Sequence, residues 1–236
     1  MNDSSRHSAF KAFTRAQWTS VTAAILGITA MFCYPGGTVL DHETSRYQLT
    51  QNFLSDLGMT VAYNGQPNRV GAALFVMSLA VLIVGFGTAT LWFIRLYSAT
   101  RVSRNLARGA GTVGGAVCLS FVGVAMTPEN AAMNLHVQFT LFAFRAFPVA
   151  CELLLLAAWK SGVASTQVLV VWVLAAACLT AYVAFLSFGP SPRTPEGLIA
   201  SVIAQKAVVV AIVVALTYQC HATARTLARS DFSRTR

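Results

Sequence analysis

The stretch VGAALFVMSLAVLIVGFGTATLWFI, residues 70–94, decides the fold class. It contains no aspartate, glutamate, lysine or arginine. The hydrocarbon core of a bilayer is about 30 Å thick, so a helix of roughly 20 apolar residues crosses it. The stretch therefore predicts a transmembrane helix.

Five further apolar runs have comparable length. Together they predict six spans, at residues 18–34, 70–94, 110–126, 131–159, 168–188 and 198–219. The predicted fold is an all-α, polytopic bundle of six transmembrane helices. It forms a single membrane domain over 1–236, with basic tails at 1–16 and 220–236 and an outer loop at 35–69.

The overall composition supports the same class. Hydrophobic residues make up 56% of the chain and charged residues 11%, against roughly 25% charged in a typical soluble domain. This excludes a soluble globular protein, and the high hydrophobicity also excludes a disordered chain. The net charge of +9 is compatible with nucleic-acid binding, but the positions of the charges indicate instead how the chain is oriented in a membrane.

Lysine and arginine are distributed unevenly between the two sides of the predicted bundle. The tails and the connections on their side carry 12 of these residues, and the other three connections carry only Arg46, Arg69 and Arg193. Because such residues concentrate on the cytoplasmic side, both termini are predicted to be cytoplasmic. We expect a bacterial-type plasma membrane, with membrane lipids and no nucleic acid as partners.

The cysteines and glycines give little sign of chemistry. The five cysteines all lie in apolar runs without a C-x-x-C pair, so we expect no disulfide, metal or cofactor. Gly111 and Gly115 form a G-x-x-x-G pattern, which lets another helix approach closely. That helix belongs either to the same bundle or to a second copy in a homodimer.

The first outer loop, residues 35–69, is longer than an ordinary connection. Ser45 and Gln48 have the spacing of a capping box, and Gly58 suits the end of a helix. The apolar residues between them predict a short amphipathic helix lying on the outer ends of the bundle.

Three ionisable residues fall inside predicted spans, where they are costly and are functional candidates. Arg145 and Glu152 lie seven residues apart on one helix face, with Pro148 between them, and Lys206 lies in span six. A structural ion pair with Glu152 is one interpretation. Binding of an anionic headgroup by Arg145 or Lys206 is a second, and proton carriage by Glu152 is a third.

Acidic and histidine side chains gather near the predicted outer face. They include Asp56, Glu129 and His136, whose types suit metal binding or acid–base chemistry. Their spacing matches no established metal or hydrolase motif. Asp56 and His136 are the candidate catalytic pair.

The segment YQLTQNFLSDLG, residues 47–58, followed by Pro67 and Asn68, resembles the signature of the six-helix membrane family called domain of unknown function 998. Pro128, Glu129 and His136 match the turn and histidine at the start of that family's fourth helix. The S-D-x-G element is also similar to the Frag1/DRAM/Sfk1 group, which is associated with lipid remodelling and membrane lipid asymmetry. The resemblance implies a polar site between the first outer loop and helix four.

These observations leave three functional hypotheses. The first is a non-enzymatic protein that binds or handles a lipid or small amphiphile at an outward-facing polar site. Its candidate ligand-binding residues are Ser55, Asp56, His136, Arg145, Glu152 and Lys206. The second is an integral-membrane hydrolase or transferase that uses Asp56 and His136. The third is a structural scaffold without a small-molecule ligand.

Overall fold

The computed structural model describes the backbone of residues 3–232 and the side chains of residues 4–228. Its long helices are α1 (Asp3–Cys33), α2 (Arg69–Leu96), α3 (Arg101–Met126), α4 (Glu129–Ser161), α5 (Thr166–Phe188) and α6 (Pro195–Phe232). All six are long and apolar enough to cross a membrane. The predicted all-α, multi-pass architecture is confirmed, and the described chain has no strand beyond one isolated bridge between Val61 and Pro67.

Local sequence signals fix the ends of several helices. The Thr100 side chain accepts from the Ser103 amide and completes a capping box at the start of α3. At the start of α5 the Ser165 side chain accepts from the Val168 amide. Gly162 has a φ of 67° and ends α4 in the left-handed conformation, which glycine adopts without strain. The helices are therefore joined by short, well-defined turns, except between α1 and α2.

Consecutive helices pack side by side, and α6 also packs against α1, so the bundle closes on itself. Aromatic rings fill its middle. The Phe93 and Trp172 rings lie 5.8 Å apart and the Phe144 and Tyr182 rings 4.9 Å apart, both edge to face. These contacts join α2 and α4 to α5 through a packed interior.

Helix α1 begins well before the predicted span at residue 18. Ala9, Phe13 and Ala16 are buried, and the Phe13 ring lies 4.8 Å from the Phe93 ring. Their spacing of three and four residues continues one apolar face, so residues 3–16 of the predicted N-terminal tail are helical and pack against α2. Of the predicted C-terminal basic residues, Arg234, Arg236 and the side chain of Arg229 lie outside the described residues.

The first outer loop differs from its prediction. Instead of an amphipathic α-helix after Ser45, the backbone makes turns and then a four-residue 3-10 helix, Ser55–Gly58. The reason lies in Asn52, whose side-chain oxygen accepts from the Gln48 amide at 2.9 Å. A side chain that binds nearby backbone in this manner competes with helix formation.

The two glycines of the G-x-x-x-G pattern have different surroundings. A Cβ at Gly111 would stand 2.4 Å from Ile94 Cδ1, whereas a Cβ at Gly115 would meet no atom within 4 Å. Gly111 therefore serves packing of α3 against α2. A homodimer through the Gly115 side of this face stays a prediction.

Candidate functional site

The first outer loop enters the outer mouth of the bundle, where "outer" follows the predicted orientation. Polar residues of the loop, of α4 and of α6 lie together there. We call this set the outer cluster: Asn52, Ser55, Asp56, Glu129, Gln205 and Lys206. The Leu54 amide donates to Gln205 Oε1 at 2.8 Å, and Lys206 Nζ donates to the Asn52 carbonyl. Lys206 lies about 16 Å along α6 from its start at Pro195, so the loop reaches well into the bundle.

The side chain of Asn52 connects separate parts of the first outer loop by hydrogen bonds. It is fully buried. Its side-chain nitrogen donates to the Gly37 carbonyl at 2.9 Å and to Asp56 Oδ2 at 2.8 Å. With the bond from the Gln48 amide, one amide group links three parts of the loop. Buried polar groups need such partners, so Asn52 determines the loop's shape.

Asp56 is a buried carboxyl group that accepts hydrogen bonds at only one of its two oxygens. Its Oδ2 accepts from Asn52 and from the Phe53 amide at 3.0 Å. Its Oδ1 is buried and has no hydrogen-bond partner within residues 3–232. Burial, followed by the nearby Glu129 carboxylate, raises the pKa of Asp56 to about 8, while Asn52, Phe53 and Lys206 act in the opposite direction.

Glu129 joins the start of α4 to the loop. Its carboxylate accepts from Ser55 Oγ at 3.4 Å and from the Tyr63 hydroxyl at 3.2 Å. Burial and the charges of Asp56 and Glu129 raise the pKa of Tyr63 well above its usual range, so this hydroxyl stays protonated and donates. The neighbouring Asn130 side chain exchanges two hydrogen bonds of 2.9 Å with Thr60, which closes the loop onto α4.

An open groove of about 470 Å³ lies on the outer side of the loop. Its lining consists of His42, Glu43, Thr44, Ser45, Tyr63, Asn64, Gly65 and Gln66. The Tyr63 ring stacks on His42 with centroids 6.0 Å apart, while its hydroxyl bonds to Glu129. Tyr63 therefore contacts both the groove and the outer cluster.

His136 is buried near the same end of α4 but has its own partner. Its Nδ1 lies 2.7 Å from the Thr127 carbonyl oxygen, and its Nε2 is buried without a partner among the described residues. No hydrogen bond joins His136 to Asp56 in this part of the chain. The predicted catalytic pair therefore stays a prediction, and Glu129 and Asn130 are α4 residues that bond to the loop.

Arg145 and Glu152 lie apart from Lys206. Both are exposed on the outside of the bundle, and Glu152 accepts from Thr180 Oγ1 at 3.2 Å. Within the described residues neither forms an ion pair with the other or with Lys206. Of the six predicted ligand-binding residues, the structure therefore brings together Ser55, Asp56 and Lys206.

Sequence reasoning overlooked Asn52, Gln205 and Tyr63 as members or neighbours of the site. Asn52 lies in the quoted segment at 47–58, and Gln205 is a neutral amide inside a span, beside Lys206. A search restricted to ionisable groups passes over amides and phenols, although these also need partners inside a membrane. That requirement is the signal that points to Gln205.

The described residues contain no cluster of three or more histidine, cysteine, aspartate or glutamate side chains suited to a metal ion. All five cysteines are free. The outer cluster offers hydrogen bonding, a cationic side chain at Lys206 and a proton-binding group at Asp56.

The raised pKa of Asp56 predicts that stability falls as pH rises. The folded protein binds the proton more tightly than the unfolded chain, whose aspartate has a pKa of 3.8, so stability is lost between about pH 4 and about pH 8. We expect Asp56→Asn, which mimics the protonated form, to remove this slope and to be more stable than wild type above about pH 8. Thermal unfolding in mild detergent across this range measures it.

Asp41→Asn provides the matched control, because Asp41 is an exposed aspartate of the same loop. It should keep the wild-type slope. A slope unchanged in Asp56→Asn would show that another group titrates.

Comparison with known proteins finds no matching family model, no similar curated protein and no similar solved structure. The resemblance to the family called domain of unknown function 998 and to the Frag1/DRAM/Sfk1 group thus stays a prediction.

Proposed function

We propose that this multi-pass membrane protein binds a zwitterionic lipid or small amphiphile at the outer cluster. The observation that carries the proposal is incomplete pairing at the half-buried Lys206 and the buried Asp56. Lys206 donates to a neutral carbonyl, lies 5.1 Å from the Tyr47 ring and interacts with the charge of Asp56 without forming an ion pair in the described residues, and Asp56 Oδ1 has no hydrogen-bond partner among them. A partly satisfied buried network is unfavourable, and a ligand headgroup supplies the missing partners.

The signs of the charges select the headgroup class. Lys206 suits a phosphate or carboxylate, while the Glu129 carboxylate disfavours a ligand that is only negative. A headgroup with both charges places its anion at Lys206 and its cation at Glu129, beside Asp56. Tyr34, Tyr47 and Tyr63 surround the acids closely enough for those carboxylates to act on their hydroxyls, and aromatic faces attract ammonium groups.

The groove provides a route by which the ligand reaches the outer cluster. Its volume of about 470 Å³ lies in the range of small-molecule sites, about 300–1,000 Å³. Rotation of Tyr63 away from Glu129 would join the groove to the outer cluster. The first outer loop then acts as a lid, held to α6 by Gln205 and Lys206. We also propose, from the distribution of lysine and arginine, that the lid faces outward from the plasma membrane with both termini cytoplasmic.

Native mass spectrometry with lysophospholipids tests the proposal. The probes share one acyl chain and carry a phosphocholine, phosphoethanolamine or phosphoglycerol headgroup. We expect the wild-type protein to retain the two zwitterionic lipids at least about tenfold better than the anionic one, because the Glu129 carboxylate opposes a net negative ligand. Lys206→Met should lose this retention, and Lys160→Met, at the other end of the bundle, should keep it.

Glu129→Gln separates recognition from folding. It keeps the shape and can still accept from Ser55 and Tyr63, but it removes a negative charge. Binding should shift towards the phosphoglycerol probe. Equal retention of all three headgroups by wild type, or unchanged selectivity in both variants, would contradict the proposal.

A further inference from the structure

A regular stripe of exposed side chains runs along α4. Its members alternate at spacings of three and four residues: Leu135, Gln138, Phe142, Arg145, Val149, Glu152, Leu156 and Trp159, all exposed. This is the heptad spacing with which one helix packs along another. Along this list an apolar residue alternates with a second residue, which is Gln138, Arg145, Glu152 or Trp159. We call this set the α4 stripe.

The polar members of the stripe lie at the depth of the hydrocarbon core. Glu152 bonds to Thr180, which is the fifteenth residue of the 23-residue helix α5 and so lies near its middle. Arg145 is seven residues from Glu152, about 10 Å nearer the outer side. It makes no hydrogen bond or ion pair within the described residues. Lipid tails offer neither charge a partner, and membrane proteins rarely leave such groups facing lipid.

The adjacent face of α5 is built from small residues. Ala177, Thr180, Ala181 and Ala184 are all exposed, at the spacing that allows a neighbouring membrane helix to approach closely. One of them, Thr180, donates a hydrogen bond to Glu152, so this face of α5 lies beside the α4 stripe. The charged stripe and the small-residue face therefore form one continuous surface.

We propose that this α4–α5 surface binds one transmembrane helix of a different membrane protein. That helix carries an acidic residue level with Arg145 and a basic residue level with Glu152, about seven residues apart. Charge complementarity identifies the occupant, and the inference does not depend on the outer cluster.

A second copy of this chain fits the surface poorly. A two-fold axis along the membrane normal puts identical residues at equal depth, so Arg145 would face Arg145 and Glu152 would face Glu152. An antiparallel copy would bring Arg145 opposite Glu152, but it must insert upside down. The excess of 12 lysine and arginine residues over three on the opposite side opposes that insertion.

Synthetic polyleucine transmembrane peptides, mixed with the full-length protein in lipid vesicles, test the proposal. One peptide carries glutamate and lysine seven residues apart, a second carries two glutamates at the same positions, and a third carries leucine only. Energy transfer between labelled protein and labelled helix reports binding. We expect the glutamate–lysine helix to bind at least about tenfold tighter than the other two, since only it pairs both charges.

The variants R145L/E152L and R193L/E196L complete the design. The first removes both stripe charges from exposed positions and should bind the three helices equally. The second removes an exposed arginine and glutamate at the outer end of α6 and should behave like wild type. Equal binding of all three helices by wild type overturns the proposal. So does self-association of wild type in vesicles that R145L/E152L abolishes, because the occupant is then a second copy.

Discussion

Replacing Gly37 by alanine should destabilise the fold by more than about 3 kcal/mol. Gly37 has a φ of 81°, and a Cβ there would lie 2.4 Å from the Asn64 nitrogen and 2.6 Å from the Tyr63 carbonyl carbon. The left-handed conformation alone costs about 1–2 kcal/mol for a residue with a Cβ. The clash adds to this because the obstacle is backbone, which moves only if the loop around Asn52 and Tyr63 moves with it. The free energy of unfolding in mild detergent measures the effect.

Gly65 offers a matched control in the same loop. Its φ is 79°, but a Cβ there would meet no atom within 4 Å. Gly65→Ala should therefore cost only the conformational penalty of about 1–2 kcal/mol. Equal losses in the two variants would show that the steric part of the argument is wrong.

Replacing Asn52 by alanine should cost about 3 kcal/mol or more. The substitution leaves the Gln48 amide, the Gly37 carbonyl and Asp56 Oδ2 without their hydrogen bonds to Asn52. Asp56 Oδ2 keeps its bond from the Phe53 amide, but the Gln48 amide and the Gly37 carbonyl lose their partner, and each such loss costs about 1–3 kcal/mol. The measurement is again the free energy of unfolding, with limited proteolysis of residues 35–69 to locate the loss in the loop.

Two further variants show whether hydrogen bonding is the cause. Asn52→Asp keeps the size and the acceptor for the Gln48 amide but loses the donors to Gly37 and Asp56, so it should also be destabilised. Asn130→Ala removes two bonds to Thr60 at an exposed site, where water replaces them, and should cost less than about 1 kcal/mol. A mild effect in Asn52→Asp would contradict the argument.

The architecture could be predicted from the sequence because its cause is local. A segment such as residues 70–94 has to bury every backbone polar group within itself when it lies in lipid, and a helix does so without help from other segments. The six spans follow from that requirement, whatever their neighbours are. The extra turns at the start of α1 were missed because Ala9, Phe13 and Ala16 form a weak stripe among charged residues, and Phe93 completes it.

The candidate site could be predicted only in part. The quoted segment at 47–58 pointed to Ser55 and Asp56, and the rarity of charge in a span pointed to Lys206. Only the tertiary structure decided that these meet one another, because a sequence does not specify which way each helix turns about its axis. The same rotation placed Arg145 and Glu152 on the outside.

The first outer loop illustrates the division most clearly. Its sequence carries the local signals of a helix, from Ser45 to Gly58, yet three long-range demands prevail. The Gly37 carbonyl at the start of the loop, and Gln205 and Lys206 in α6, all need hydrogen-bond partners, and the loop supplies them through Asn52 and Leu54. The sequence alone determined that the chain has six segments long and apolar enough to cross a membrane as helices. Only tertiary packing determined what the loop became, because satisfying buried polar groups outweighs a local helix preference of a few tenths of a kcal/mol per residue, about 0.7 at most.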